Sequence, residues 1–291
     1  MRGASADSLA ALTEELGPAK GLVPTIKGWA SKLTGATGHS EEDDASLDAR
    51  MAEDLFGVAD VLRREPSLRR TVTDVSVPAE AKARLARQIF ERALAAESMD
   101  LVASAVSRRW AASRDLADSL EYLGVVCVLR SAERRGEADA LEDELFGFGR
   151  IVADNPDLRD ALSDPARSTD DKRRLIKDLL EGRTTAATIR LAQETVAGTH
   201  RTVALAVEAY QKIVAEHRNR LVATVRVARE LSEQESARLA NALERQYGRP
   251  VHVNMMIDPG VMGGIRVEIG DDVIDGTVSS RLDDARRQLA G

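Results

Sequence analysis

Along most of the chain, apolar residues recur at steps of three and four, the period of a helix with one buried face. Leu55, Phe56, Ala59 and Leu62 form one such stripe, and Leu145, Phe146, Gly149 and Val152 form another. Glu65-Pro66 and Asn155-Pro156 end these helices, because the residue before a proline is pushed out of helical geometry. The pattern predicts a short helix after each proline, broken near Asp74 and Asp164. Lys82 and Lys172 then lead helices that are expected to bury Leu85 and Ile89 in one case, and Leu175, Ile176, Leu179 and Leu180 in the other. Longer helices are predicted over 100–109, 113–135, 185–196 and 203–218, after a first one near 5–16. The leucines and phenylalanines of these stripes read as core, not as the lining of a ligand pocket.

The two sets of elements are copies of one unit. EDLFGVADVLRREPSLRRTVTDVSVPAEAKARLARQIFE, starting at Glu53, superposes without a gap on DELFGFGRIVADNPDLRDALSDPARSTDDKRRLIKDLLE, starting at Asp143. Leu55, Phe56 and Gly57 match Leu145, Phe146 and Gly147; Pro66, Leu68 and Arg69 match Pro156, Leu158 and Arg159. Similarity persists to Leu101 and Val106, the counterparts of Leu191 and Val196. A solenoid usually needs at least three repeats, so the duplication predicts two bundles. Between them and the first helix, 17–48 reads as a mobile insertion, interrupted by Gly17, Pro18, Gly21, Pro24, Gly28, Gly35 and Gly38 and carrying a charge run from Ser40 to Asp44.

After Arg218 the period falls to two. Leu221, Ala223, Val225 and Val227 alternate as a strand, and Val251, Val253, Met255 and Ile257 as another. Between them Ser232 and Glu235 form a capping box for a helix that uses Leu239, Ala240 and Leu243 and stops at Gly248. Ile265, Val267 and Ile269 give a third strand, Gly270-Asp271-Asp272 a reversal, and Val273-Ile274 a short return. Gly263-Gly264 marks a bulge or a close backbone approach. Asp275-Gly276-Thr277 reads as the start of a closing helix with Val278, Leu282, Ala285 and Leu289 on one face. The fold class is therefore mainly α: two duplicated helical bundles, 1–112 and 113–217, followed by a small C-terminal α/β domain, 218–291.

Composition narrows the chemistry. At 291 residues the chain has room for several cores, and its 3% aromatic content is low. The net charge of -7 argues against a nucleic-acid binder. The arginine pairs Arg69-Arg70, Arg108-Arg109 and Arg134-Arg135 sit among acidic residues and read as solvated helix surface. The longest apolar run, Tyr122 to Leu129, is far short of the ~20 residues a membrane helix needs. No leader pattern is present, so a cytoplasmic protein without direct membrane insertion is expected. Cys127, the single cysteine, reads as packing. There is no GxxxxGK[ST] loop, and the glycines before the third strand are not a dinucleotide fingerprint. His39, His200, His217 and His252 are isolated, and no GxSxG elbow occurs. No catalytic, cofactor or metal residue is assigned.

The order Gly263-Gly264, alternating strand, Gly270, Asp275-Gly276, a small hydroxyl residue and Arg281-Leu282 resembles the C-terminal signature of the delta subunit of F-type ATP synthases, the OSCP family. The span from about Ser113 to Gly291 resembles the whole family unit, and the extra helical half resembles the longer delta subunits of actinobacteria. That resemblance implies a non-catalytic peripheral-stalk subunit. It implies that a helical bundle holds N-terminal helices of alpha subunits on the catalytic head, which also contains beta, while the C-terminal domain holds subunit b. Torque during proton-driven ATP synthesis is thereby resisted. It places the chain at the cytoplasmic face of the cell membrane, and the signature residues become stalk-contact candidates. Two other readings stand beside it: a helical adaptor that binds amphipathic peptides, and an enzyme with Glu144 or Asp164 turned into a bundle, against which their expected surface positions argue.

Overall fold

The computed structural model describes residues 1, 3–16, 41–218, 221–229, 231–247, 250–258, 261, 264–269 and 272–275, with the backbone alone for a few of these. By internal contacts the chain divides into Met1–Gln211 and Lys212–Gly291.

The first unit is helical. α1 (Ala4–Leu16) precedes α2 (Glu41–Arg64), α3 (Pro66–Thr73), α4 (Ala79–Phe90) and α5 (Ala96–Ser107). α6 (Ser113–Arg134) leads to α7 (Ala138–Asp154), α8 (Pro156–Ser163), α9 (Thr169–Leu180), α10 (Ala186–Glu194) and α11 (Val203–His217), whose last turns lie past the Gln211 boundary. The prolines act as predicted: each occupies the first turn of its short helix, where a missing N–H costs nothing. The copies repeat each other's contacts. α4 packs on α5 as α9 packs on α10, and α2 meets α5 as α7 meets α10. α1 lies on α5 as α6 lies on α10. The last helix of the first copy therefore also serves as the first helix of the second.

That double duty explains the composition of α6. From Leu116 to Ala132 it is buried on nearly every side, Leu120, Leu123, Val125 and Cys127 completely, as expected of a helix enclosed by others. Gly124 lets α2 approach: a Cβ there would stand 2.6 Å from the Phe56 ring.

Local devices recur between the copies too. Asp54 accepts a hydrogen bond from Ala95 N at the start of α5 (3.0 Å), and its counterpart Glu144 accepts from Thr185 N at the start of α10 (2.9 Å). Asp74 Oδ1 accepts from Ser76 N as Asp164 Oδ1 accepts from Ala166 N, both at 2.8 Å.

Several expectations are corrected. The expected insertion is helical from Glu41, because Ala45 and Asp48 are buried against α6 and Arg134 pairs with Asp44 (2.9 Å) and Asp48 (2.7 Å); residues 17–40 lie outside the described ones. Arg134 and Arg69 are thus not mere solvated surface. Arg69 donates to Leu62 O and Arg63 O across the α2–α3 corner. On α4 the buried residues are Ala86 and Phe90, whereas Ile89 is 44% exposed: the helix presents a stripe one position later than predicted. Lys82 is buried, its Nζ reaching Arg108 O at 3.4 Å. In α7 Phe148 fills the core, while Phe146 is half-buried.

The second unit holds β1 (Leu221–Val227), α12 (Glu233–Tyr247), β2 (Val251–Ile257), β3 (Ile265–Ile269) and β4 (Asp272–Asp275) in the order β2-β1-β3-β4. β1 and β2 are parallel, a pairing that needs a crossover such as α12, and the remaining pairs are antiparallel. Ala223, Val225, Val227, Val267 and Ile269 pack with Leu243 of α12. The Ser232–Glu235 box forms as read: Glu235 Oε2 accepts from Ser232 N (2.9 Å) and Ser232 Oγ from Glu235 N (3.3 Å). The stop at Gly248, the Gly270 turn and the closing helix fall outside the described residues.

Candidate functional site

Of the seven signature residues, Gly264 and Asp275 are described; Gly263, Gly270, Gly276, Arg281 and Leu282 lie outside the described residues. Gly264 has φ 84°, a conformation other residues rarely adopt, so glycine is needed to turn the chain into β3. Asp275 ends β4 opposite Arg266, one residue inside the β3 start. The hairpin thus brings both to one end of the sheet. Asp258, which follows β2, joins that end by donating from its backbone N to Val227 O (2.8 Å). Charges line the face turned away from Val225 and Val267: Glu268 Oε1 lies 3.1 Å from Arg266 Nε and 3.7 Å from Arg226 Nε. At the sheet edges Ile257 and Val273 are more than half exposed. Such a surface suits protein contact; among the described residues it holds no nucleophile–base pair.

The helical unit offers a concave site. Ala49 and Glu53 of α2, Val128, Ser131 and Ala132 of α6, and Ala186, Ala187 and Arg190 of α10 enclose a cleft of about 370 Å³. Its floor is alanine and valine, small enough for a partner's backbone to come close. Its rim carries Arg50, Glu53, Arg135, Glu137 and Arg190. An apolar floor with a charged rim is what an amphipathic helix requires. Arg190 divides the site from a second, polar cleft of about 210 Å³ lined by Gly57, Asp60, Arg173 and Gln193. It does so by pairing with Glu53 (2.5 Å) while its guanidinium lies 4.3 Å over the Phe56 ring.

Beneath the clefts sits a cluster of buried charge. Glu121 of α6 accepts hydrogen bonds from Arg63, the Tyr210 hydroxyl and Thr199 N. Glu194 of α10, with no exposed side-chain surface, lies 3.1 Å from Arg190, 3.6 Å from Arg173 and 3.9 Å from Arg63. Burial raises the Glu194 carboxyl above its ordinary range, partly offset by Arg190. Burial, with Glu121 and Glu194 beside it, also raises the Tyr210 phenol well above its ordinary value. Gly198 leaves the room this needs, because a Cβ there would strike Glu121.

Catalytic chemistry finds no support in this arrangement. The Cys127 thiol is pushed up to about 12 by burial and is inert. Glu144, which the enzymatic alternative needs to face inward as a free carboxylate, is half-buried and occupied: Oε2 accepts from Thr185 N, Thr185 Oγ1 and Thr188 Oγ1. It caps α10, a role its expected surface position did not reveal. No described helix is long and apolar enough to cross a membrane.

Residues 127–289 match the family model described as ATP synthase delta (OSCP) subunit. The chain belongs to that family. The OSCP match covers α7 to α11, the C-terminal part of α6 and the sheet unit, and so more than half of the chain. Relatives extend it to the first copy. The ATP synthase subunit delta of a Nocardioides species is 57% identical over 243 residues, 84% of this chain and 88% of its own. That of Streptomyces coelicolor is 41% identical over all of this chain and 98% of its own, so the duplicated form is shared. Membership in the delta family agrees with the reading of the chain as non-catalytic.

Sequence reading missed Arg63, Glu121, Glu194 and Tyr210 as a group. A signal for them exists in the duplication: their counterparts are Ala153, Gln211, Ser104 and Leu120, so the charge is carried by one copy at each position.

Proposed function

We propose that this chain is the delta subunit of an F-type ATP synthase, a non-catalytic joint of the peripheral stalk at the cytoplasmic face of the membrane. The helical unit grips N-terminal helices of the alpha subunits on the catalytic head, and the sheet unit grips subunit b, so the head is held against rotor torque during proton-driven ATP synthesis. The family match over 127–289 carries this reading. The cleft floored by Val128 and Ala132 supports it, because its apolar base and charged rim suit an amphipathic helix. In the sheet unit, the exposed Ile257 and Val273 and the Arg226–Glu268–Arg266 ladder provide apolar and charged contacts for a second partner. The three-part division at 112 and 217 assigns these holds to the second copy and the tail, and the first copy extends the contact with head or stalk.

Affinity purification of the tagged chain from its own cells tests the assignment. Alpha, beta and b subunits are expected in stoichiometric amounts, and cross-linking within the purified complex is expected to join the first copy to one of them. Recovery of unrelated proteins alone would replace the stalk reading with that of a helical adaptor.

A further inference from the structure

Arg63 lies on α2 in the first copy, yet its strongest ion pair is with Glu121, the carboxylate that the second copy uses to bind Tyr210 and Thr199 N. The same guanidinium lies 3.9 Å from both Asp118 and Glu194. In the opposite direction, Arg190 of the second copy reaches Glu53 and the face of Phe56 in the first. Two arginines are thus exchanged across the seam between α2 and α10. The second copy has no substitute of its own for Arg63, since the aligned residue is Ala153. Arg173 and Arg190 approach Glu194, but the only cation paired with Glu121 is Arg63 among the described residues. Both Glu121 and Glu194 are at most 3% exposed.

We infer that the first copy is a built-in folding partner of the second: Arg63 supplies the counter-charge without which the corner of α6, α10 and α11 does not stay closed. A buried charge left without its partner is strongly destabilising, even where the intact pair contributes little net stability. In this chain, removal of Arg63 leaves Glu121 and Glu194 as like charges in one buried site, with Asp118 beside them and Tyr210 as the remaining side-chain donor to Glu121. Duplication has left the cation on α2 of the first copy, Glu194 on α10 of the second and Glu121 on the α6 helix that both share, and so made the copies interdependent. This interdependence concerns the chain itself and does not require any stalk subunit.

Amide hydrogen exchange on the full chain reads out the effect, because it resolves local opening helix by helix. Arg63→Met, which keeps the aliphatic stem, is expected to accelerate exchange in α10 and α11 on the order of a hundredfold, while α4 and α5 change little. Arg63→Met combined with Glu121→Gln is expected to restore most of the protection, glutamine being what the chain already holds at the aligned Gln211. Acidification is expected to shrink the Arg63→Met effect, as protonation of Glu194, whose carboxyl burial already raises, removes one of the two like charges. Unchanged α10–α11 protection in Arg63→Met overturns the inference, as does acceleration confined to α2. Should Arg63→Met fail to fold, recovery by the double variant supports the inference, and failure of both overturns it.

Discussion

Single residues set the closeness of the helical seam. Gly124 admits the Phe56 ring, so Gly124→Ala is expected to cost about 1–3 kcal/mol through overpacking, read as a lower urea midpoint with an unchanged slope. Glu194 makes stability depend on pH in a direction unusual for a carboxylate. Its folded pKa is raised, so its favourable contribution is full below the unfolded value and is lost as pH rises through the folded one. Glu235 behaves oppositely. The side-chain hydrogen bond from Arg229, then those from Ser232, hold its carboxyl down to about 2. The stabilisation it gives to the start of α12 is therefore present above its unfolded pKa and lost as pH falls toward 2. A carboxyl NMR titration should place its midpoint near that value, and Arg229→Ala should move it up toward the ordinary glutamate range. The Ser232–Glu235 pair was legible, because a capping box is a local pattern. Gly124 was not, because its partner lies on another helix.

Helices inherit their ends from the sequence and their faces from neighbours. The proline breaks, the α12 cap and the alternation of β1 and β3 followed from spacing alone. The one-position shift of the α4 stripe to Ala86 and Phe90, and the helical state of 41–48, depended on what lay opposite. α6 is the clearest case: its run from Tyr122 to Leu129 announced burial, yet nothing local said that both copies would use it. Capping separates the copies quantitatively. Glu144 satisfies three donors at the start of α10, while Asp54 satisfies one at the start of α5. Glu144→Ala is expected to cost about 1–3 kcal/mol for the donors it strands and Asp54→Ala distinctly less, compared by chemical denaturation of the two variants.

At the level of the whole molecule, the proposed function divides between the two units. Deletion of 263–291, which carries the whole signature, is expected to abolish capture of subunit b while the helical circular-dichroism signal and the capture of alpha persist. Unchanged binding of b would remove the stalk role from that segment. What the sequence by itself determined was the class of the fold, its duplication, the change from helical to strand period after Arg218, and the family signature. Each is written in spacings a few residues long or in self-similarity of the chain. Only the tertiary structure decided that α6 belongs to both copies, that Gly264 and Asp275 share one end of the sheet, and that Arg63 faces Glu121 from 58 positions away. Periodicity states which face of an element is apolar. Which charged residue of a distant element meets that face depends on packing, and where Arg63 of α2 meets Glu121 of α6 and Glu194 of α10 the buried carboxylates call for a cation, because an unpaired charge is costly there.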